Sequence, residues 1–318
     1  MNWHGFAFFL ALAVSYMATP MVRRLALRLN VMVNPGGRRV HARPMPLWGG
    51  IAIFAGFVIS VLIAELFRGL SPLFFKAVLP VLVASTIIVT VGLLDDMKEF
   101  SAAVQMLAII VAAVVLIQFG IRIQFLTNPF GGEMIWLPTS VSWILTLGWI
   151  FLTTKTVDFM DGLDGLAAGI GAIASGVLAI MAYYMGQPHV AFMAAGLSGA
   201  CIGFLRFNFN PAKIFMGTAG SQLIGFVLAA LSIIGAFKVA AAMAIAIPML
   251  VLGVPIFDGL FVIIKRVFNR QPIHIADRSH LHHRLLDRGL THKQAVIVIC
   301  VICLVLGGTA LTIFWSIR

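Results

Sequence analysis

The sequence predicts an all-α polytopic membrane protein that forms a single domain over residues 1–318. Hydrophobic residues make up 61% of the 318 residues and charged residues only 10%, whereas a soluble domain carries about 25% charged residues because its surface faces water. Apolar runs of about 20 residues recur along the chain, and each is long enough to cross a hydrocarbon core of about 30 Å as a helix. Lipid is therefore the expected solvent for most of the surface.

Ten apolar stretches predict about ten transmembrane helices, and no low-complexity tract, repeat or long linker divides them. The predicted spans are 3–22, 47–66, 73–94, 102–119, 141–158, 166–184, 189–206, 221–237, 239–263 and 295–315. The three cysteines, Cys201, Cys300 and Cys303, all fall inside these spans. Packing is a more frequent role for a cysteine there than redox chemistry or metal binding.

The basic residues predict the orientation. Most of the 22 lysines and arginines fall on one side of the ten-helix arrangement, and by the positive-inside rule that side is cytoplasmic and both termini are outside. Topology explains the basic excess, and no nucleic acid partner is expected for charges fixed at a membrane surface.

The acidic residues are more informative, because they have little influence on topology. Of the 11 acidic residues, only Glu65 and Glu133 fall outside the predicted cytoplasmic side. Ionisable groups at membrane depth are costly and usually mark a functional site. The alternative is that some of them are helix-end charges paired with neighbouring lysines and arginines.

Four polar segments on this side supply candidate site residues. In chain order they read VGLLDDMKEF, DFMDGLDGLAAG, RFNFNPAKIFMGTAGSQ and PIHIADRSHLHHRLLDRGLTHKQ. Asp158, Asp161 and Asp164 would share one face if the helix continued through them. Gly162 and Gly165 instead predict a tight break in the chain.

These residue types suit phosphoryl transfer to a lipid phosphate. Carboxylates hold Mg²⁺, which bridges phosphate oxygens and neutralises their charge, and the N–H groups of a GTAGS turn before a helix bind phosphate oxygens. Arginine and histidine bind the rest of a pyrophosphate. The four histidines between 274 and 283 are also spaced like zinc ligands, but the arginines beside them disfavour a bound dication, so anion recognition is the favoured interpretation.

The chain resembles the polyprenyl-phosphate N-acetylhexosamine-1-phosphate transferases, the bacterial family that initiates teichoic acid, O-antigen and enterobacterial common antigen synthesis. The resemblance covers nearly the whole chain and rests on motifs in a fixed order. They are RRVHARPMPLWGG (38–50), LLDDMKEF (93–100), DFMDGLDGLAAG (158–169), FLRFNFNPAKIFMGTAGS (204–221), VPIFDGLFVIIKR (254–266) and PIHIADRSHLHHRLLDRG (272–289). The HLHH form of the last motif looks like that of the teichoic-acid and O-antigen initiators rather than that of the peptidoglycan relative.

The resemblance implies roles for individual residues. Asp95 and Asp96 would lie beside the lipid phosphate, and Asp161 and Asp164 would line the metal and nucleotide pocket. The substrate-binding residues would be Asn208 and Phe215 on the uridine side, His41 and Arg43 near the nucleotide, Arg278, His280, His282 and His283 at the pyrophosphate and sugar, and Lys213.

The resemblance also implies the partners and the surroundings of the site. The substrates would be a UDP-N-acetyl sugar, with UDP-GlcNAc the default, and undecaprenyl phosphate, and the cofactor would be Mg²⁺, with Mn²⁺ as a second option. The protein would lie in the bacterial plasma membrane among membrane lipid, with its site facing the cytoplasm, and a homodimer is suggested. Residues 120–140 would form a small outer hairpin, whose turn chemistry comes from Asn128, Pro129, Gly131 and Gly132.

The chain departs from the family pattern where metal ligands are expected. Lys155 and Asp158 stand in a motif that usually reads NAxN, and Thr218 replaces the usual aspartate of GDxGS. The favoured hypothesis is that Asp158 compensates for the carboxylate missing at position 218 and binds the metal. The alternatives are a weakened metal site, or a local pair between Lys155 and Asp158.

A second class of function is a secondary transporter or lipid-handling protein that carries out no chemistry. Transporters place charged groups near the bilayer midplane and often show repeated halves with broken helices. The charges here lie at one predicted membrane face, and the sequence shows no convincing internal repeat. Both observations favour the enzyme.

Overall fold

The computed structural model describes residues 3–33, 44–127, 134–235, 249–268 and 280–317. The helices in this part of the chain are α1 (Trp3–Arg28), α2 (Gly49–Arg68), α3 (Leu79–Lys98, preceded by a π-helical segment, Phe74–Val78), α4 (Ala102–Gln118), α5 (Thr139–Phe159), α6 (Leu166–Tyr184), α7 (Pro188–Asn208), α8 (Gly217–Ile234), α9 (Gly253–Phe268), α10 (Leu281–Asp287) and α11 (His292–Ile317). The prediction of an all-α chain is confirmed.

Seven helices in the described part of the chain are long and apolar enough to cross a membrane: α1, α2, α3 with its π-helical start, α6, α7, α8 and α11. A multi-pass membrane protein is therefore confirmed. The predicted spans 102–119, 141–158 and 239–263 are not among the seven, and the last lies partly outside the described residues. The count of ten crossings stays a prediction.

The helices are arranged around α8. In the most apolar stretch of α8, 89% of the residues are buried, whereas the corresponding share is 28% in α1 and in α11. The outer helices expose large apolar side chains, such as Phe9 in α1 and Leu304 in α11, as expected for a surface that faces lipid.

Glycines let the helices approach each other closely around the start of α8. A Cβ on Gly50 of α2 would collide with the backbone of Gly220, and one on Gly92 of α3 would collide with the backbone of Ala219. On α5, the Thr154 backbone lies equally close to Gly225. Small residues at helix contacts allow this backbone-to-backbone packing in membranes, which brings the start of α8 against α2, α3 and α5.

Two short antiparallel ribbons complete the described structure. β1 (Met32–Val33) pairs with β2 (Met45–Pro46), and β3 (Phe125–Thr127) pairs with β4 (Met134–Trp136). The second ribbon lies within 120–140, where a hairpin was expected. The predicted turn residues Asn128, Pro129, Gly131 and Gly132 lie outside the described residues.

The predicted break after the fifth span is present. Helix α5 ends at Phe159 and α6 begins at Leu166, and Gly165 adopts a φ of 83°, a conformation that glycine reaches without a steric penalty. The three aspartates of this segment therefore do not lie along one continuous helix face. Asp158 is in the last turn of α5, and Asp161 and Asp164 are in the turn that follows.

Candidate active site

A cavity of about 1150 Å³ lies where the helix ends that were predicted to share one side of the membrane come together. The predicted site residues that line it are Asp95, Asp96, Asp158, Asp161, Asp164, Asn208, Phe215, Thr218 and His283. His280 and His282 are buried beside it, and Lys213 is exposed outside it. His41, Arg43 and Arg278 lie outside the described residues.

Asp95, at the end of α3, is held by hydrogen bonds to both of its carboxylate oxygens. The Phe100 backbone N–H donates to Oδ1 at 2.8 Å, and the Gln105 amide nitrogen lies 3.0 Å from each oxygen. Only 6% of Asp95 is exposed. These contacts fix the carboxylate in one orientation at the cavity wall.

Asp96, the next residue, is held differently and has one oxygen without a hydrogen-bond partner among the described residues. The Thr218 backbone N–H donates to Oδ1 at 2.8 Å, and the carboxylate packs so closely on Gly217 that a Cβ there would collide with it. A carboxylate at a helix N-terminus is stabilised by the positive end of the helix dipole. Oδ2 is buried and has no hydrogen-bond partner among the residues that the structure describes.

Asp158 accepts from three side chains, through both of its oxygens. The Lys155 ammonium donates to Oδ2 at 2.5 Å, the Ser221 hydroxyl donates to Oδ1, and the Gln222 amide lies 3.3 Å from Oδ2. The structure thus contains the local pair of Lys155 and Asp158 that the sequence left as an alternative. A carboxylate already neutralised and hydrogen-bonded in this way is a poor candidate for a metal ligand, so the geometry favours the pair over compensation for Thr218.

Asp161 and Asp164 lie in the turn between α5 and α6. Asp164 Oδ2 accepts from the Asn210 amide and from the Ala212 backbone N–H, both at 3.0 Å. Burial raises the pKa of Asp161 well above its usual value, and the nearby carboxylates of Asp158, Asp96 and Asp164 raise it further. Because these carboxylates repel one another across the cavity, a bound cation would be stabilised there.

Asn208, which was assigned to the uridine side, joins the two turns that border the cavity. It is 2% exposed, accepts from the Gly165 N–H at 3.0 Å and donates to the Ile214 carbonyl oxygen at 3.0 Å. The Phe215 backbone joins β2 to the start of α2, because its N–H donates to the Pro46 carbonyl and its carbonyl accepts from Gly49. Both residues line the cavity while fixing its wall.

The histidines are organised by Asp258 of α9. Its Oδ2 lies 2.7 Å from Nδ1 of His280, and its Oδ1 accepts from the Leu281 backbone N–H at 2.7 Å, so Asp258 satisfies one of the unpaired N–H groups in the first turn of α10. The rings of His280 and His282 stack with an interplanar angle of 8°. Burial lowers the pKa of His282 to about 3, with help from the neighbouring histidines His283 and His280, so its ring is neutral near pH 7.

The donor set fits Mg²⁺ only if substrate and water complete it. No group of three or more His, Cys, Asp or Glu side chains in the described segments is placed to hold a metal ion. Asp96, with its unpartnered Oδ2, and Asp161, whose carboxylate makes no hydrogen bond to described residues, are the carboxylates left to bind one. Mg²⁺ is commonly held by one or two carboxylates together with phosphate oxygens and water. Thr218 also lines the cavity, with its backbone N–H on Asp96, but brings no carboxylate.

Sequence reasoning did not assign Gln105, Ser221, Gln222 or Asp258 to the site. Gln105 and Gln222 are polar residues near the starts of the apolar helices α4 and α8. Such residues are rare inside membrane helices and tend to hydrogen-bond across helix contacts, which was the available signal.

Comparison with known proteins gives one consistent answer. The sequence pattern of the family described as "Glycosyl transferase family 4" matches residues 78–236. A probable undecaprenyl-phosphate N-acetylglucosaminyl 1-phosphate transferase of Bacillus subtilis is 36% identical, over 96% of this chain and 84% of that protein.

Two further relatives come from other bacteria. A decaprenyl-phosphate N-acetylglucosaminephosphotransferase of Mycobacterium tuberculosis is 36% identical, over 97% of this chain and 82% of that protein. An undecaprenyl-phosphate alpha-N-acetylglucosaminyl 1-phosphate transferase of Salmonella typhimurium is 25% identical, over 93% of this chain and 80% of that protein. With its family pattern, its motifs and its aspartate-lined cavity all present, the chain belongs to glycosyl transferase family 4.

Proposed function

We propose that the protein transfers N-acetylglucosamine 1-phosphate from UDP-GlcNAc to undecaprenyl phosphate. The products are UMP and undecaprenyl-diphosphate N-acetylglucosamine, so the reaction is the first membrane step of a cell-envelope polysaccharide. One structural observation carries the proposal: Asp96 and Asp161 share a single cavity with the start of α8. The names of the similar proteins supply the substrates, and none of these relatives supports the alternative of a transporter or lipid-handling protein without chemistry.

The reaction is an in-line displacement at phosphorus. An oxygen of the lipid phosphate forms a bond to the sugar-linked phosphorus of UDP-GlcNAc, and the bond from that phosphorus to the bridging oxygen breaks, so that UMP leaves with the electron pair. The protein's contribution to such a step is mainly positioning and electrostatic stabilisation. The nucleophile is already an anion near neutral pH, so it needs orientation more than deprotonation.

The cavity residues divide this work by position. Asp96, whose Oδ2 is unpartnered, would orient the acceptor phosphate or hold a cation beside it. His283, on the cavity wall, would contact the diphosphate or the sugar, and Asn208 and Phe215 would border the nucleoside. His41, Arg43 and Arg278 remain proposed anion-binding residues, and Lys213 a peripheral one.

We propose Mg²⁺ as the cofactor, with Mn²⁺ as a substitute, held by Asp96 and Asp161. When bound, the ion supplies positive charge to the donor diphosphate as charge moves onto the departing UMP. The proposed setting is the bacterial plasma membrane, with ten crossings, both termini outside and the cavity facing the cytoplasm, where UDP-sugars are made. A homodimer is part of this proposal.

The test is product analysis with purified protein, undecaprenyl phosphate and Mg²⁺. UDP-GlcNAc, UDP-GalNAc and UDP-glucose are supplied separately, and the nucleotide and lipid products are identified by mass spectrometry. UMP and undecaprenyl-diphosphate N-acetylglucosamine are expected with UDP-GlcNAc, and neither is expected after removal of metal with EDTA. Absence of UMP with every donor would contradict the proposal, and UMP only with UDP-GalNAc would correct the sugar.

A further inference from the structure

A chain of hydrogen bonds links the carboxylates of Asp95 and Asp158, which belong to different helices. The Lys155 ammonium donates to Asp158 and also to the Gln105 side-chain oxygen at 3.0 Å. The Gln105 amide nitrogen in turn lies 3.0 Å from both oxygens of Asp95. Gln222 of α8 approaches the same Gln105 oxygen at 3.3 Å. Lys155 is therefore the cationic centre of a network that joins α3, α4, α5 and α8.

Lys155 also stands out in the charge balance of the cavity. Glu99 and five aspartates line this space, the aspartates being Asp95, Asp96, Asp158, Asp161 and Asp164. In the segments that the structure describes, Lys155 is the only lysine or arginine within 4.0 Å of one of the five aspartate carboxylates. Its side chain is 18% exposed and that of Asp158 is 15% exposed, so water screens the pair far less than it screens a surface pair.

We propose that Lys155 is a resident counter-cation that confines divalent metal binding to the carboxylates of Asp96 and Asp161. Its ammonium neutralises Asp158 and, through Gln105, fixes the orientation of Asp95, so neither carboxylate is offered to an added cation. This role rests on the proposed function, in which the cavity holds a divalent ion. Lys155 is a positioning residue in this scheme, because it acts through Asp158 and Gln105.

Loss of the Lys155 ammonium should increase the affinity of the cavity for a dication. Removal of the ammonium leaves the Asp158 carboxylate unneutralised beside Asp96 and Asp161, and the added negative potential strengthens the binding of a dication. If Asp158 were itself the metal ligand, its removal together with Lys155 would instead abolish or strongly weaken binding. A charge-balanced double variant therefore separates the two roles.

The experiment titrates Mn²⁺ into the purified full-length protein without substrate and follows the free ion by electron paramagnetic resonance. The variants are Lys155→Gln, Lys155→Arg and the double variant Lys155→Gln with Asp158→Asn. The matched control is Lys98→Gln, which removes an exposed lysine from the neighbouring end of α3. We expect Lys155→Gln to bind Mn²⁺ about tenfold more tightly than the parent protein, and the other three to stay within about threefold of it.

Two results would overturn the inference. One is unchanged Mn²⁺ affinity in Lys155→Gln with a normal gel-filtration profile. The other is loss of binding in the double variant, which would make Asp158 a ligand; because that variant preserves the net charge, it also covers the case in which the single variant fails to fold. Failure of the proposed function is seen separately, as absence of UMP release by the parent protein, whatever the Mn²⁺ titrations show.

Discussion

The Gly162 α-carbon packs against the His282 imidazole so closely that a Cβ on Gly162 would overlap the ring nitrogen Nε2. This contact joins the aspartate-bearing turn after α5 to the histidine-bearing helix α10, two segments about 120 residues apart in the sequence. The turn can approach the ring only because residue 162 lacks a side chain. The position of His283 at the cavity therefore depends on a glycine in another motif.

A methyl group at Gly162 should displace α10 from the cavity. Because overpacking in a well-packed contact costs about 1–3 kcal/mol, Gly162→Ala should lower the rate of UMP release at least tenfold and reduce thermal stability modestly. The matched control is Gly148→Ala in α5, where an added Cβ meets nothing within 4 Å. Equal activity of the two variants would show that the contact between the turn and α10 has no functional importance.

Asn208 should contribute more to the stability of the fold than to recognition of the substrate. Asn208→Ala leaves the Gly165 N–H and the Ile214 carbonyl without their present partner, and each unsatisfied buried group costs about 1–3 kcal/mol. A clear fall in the midpoint of thermal unfolding in detergent is expected. Asn210→Ala is the comparison, since that side chain contributes one hydrogen bond, to Asp164, at a partly exposed position. An equal or larger fall for Asn210→Ala would contradict this assignment.

Asp258 should matter for substrate binding through its hold on His280 and Leu281. In the parent protein, His280 Nδ1 and the Leu281 backbone N–H each contact one oxygen of the Asp258 carboxylate. An asparagine side chain has only one oxygen, so in Asp258→Asn its NH₂ group, a donor, faces one of these two groups. The start of α10 should loosen and the KM for the UDP-sugar should rise roughly tenfold, with faster hydrogen exchange over residues 281–287. Asp287→Asn, at the exposed end of α10, is the control. An unchanged KM in Asp258→Asn would show that Asp258 does not support substrate binding.

Glu65 and His189 form a second buried contact, far from the cavity. Glu65 is fully buried and its Oε1 lies 2.6 Å from Nδ1 of His189. Gly50, at the cavity end of α2, is 15 residues from Glu65 in the same helix, which corresponds to roughly 22 Å. Glu65→Ala and His189→Ala should each lower thermal stability, and the double variant should lose less than the sum because the two residues share one contact.

Loss of the contact between Glu65 and His189 should not change the rate of UMP release. UMP release by Glu65→Ala at low temperature, where the protein stays folded, should match that of the parent. Additive losses of stability in the cycle would show that the two side chains are not coupled. A loss of activity without a loss of stability would show that the contact communicates with the cavity.

The helices and the break after α5 were predictable because their causes are local. Apolar runs specify membrane helices, and Gly165 marks a backbone conformation that other residues reach at a cost. The gathering of aspartates at one end of the bundle also followed from sequence, because the order of the spans assigns each loop to a side. Ten crossings and the orientation remain predictions.

The partners of individual side chains were not predictable. Lys155 lies one turn before Asp158, so a local pair and a metal-binding Asp158 were both compatible with the sequence, and the choice depends on where Gln105, Ser221 and Gln222 arrive from other helices. The contact of Asp258 with His280 joins residues 22 positions apart, and no local sequence pattern predicts it. Such contacts depend on tertiary packing.

The central claim is that the aspartate-lined cavity carries out phosphosugar transfer rather than simple glycosyl transfer. The most direct measurement identifies the nucleotide released when the purified protein receives UDP-GlcNAc, undecaprenyl phosphate and Mg²⁺, beside the Asp96→Asn variant. UMP from the parent protein, with at least a hundredfold lower rate in Asp96→Asn, is the expected result. Release of UDP, or UMP release unaffected by Asp96→Asn, would contradict the account.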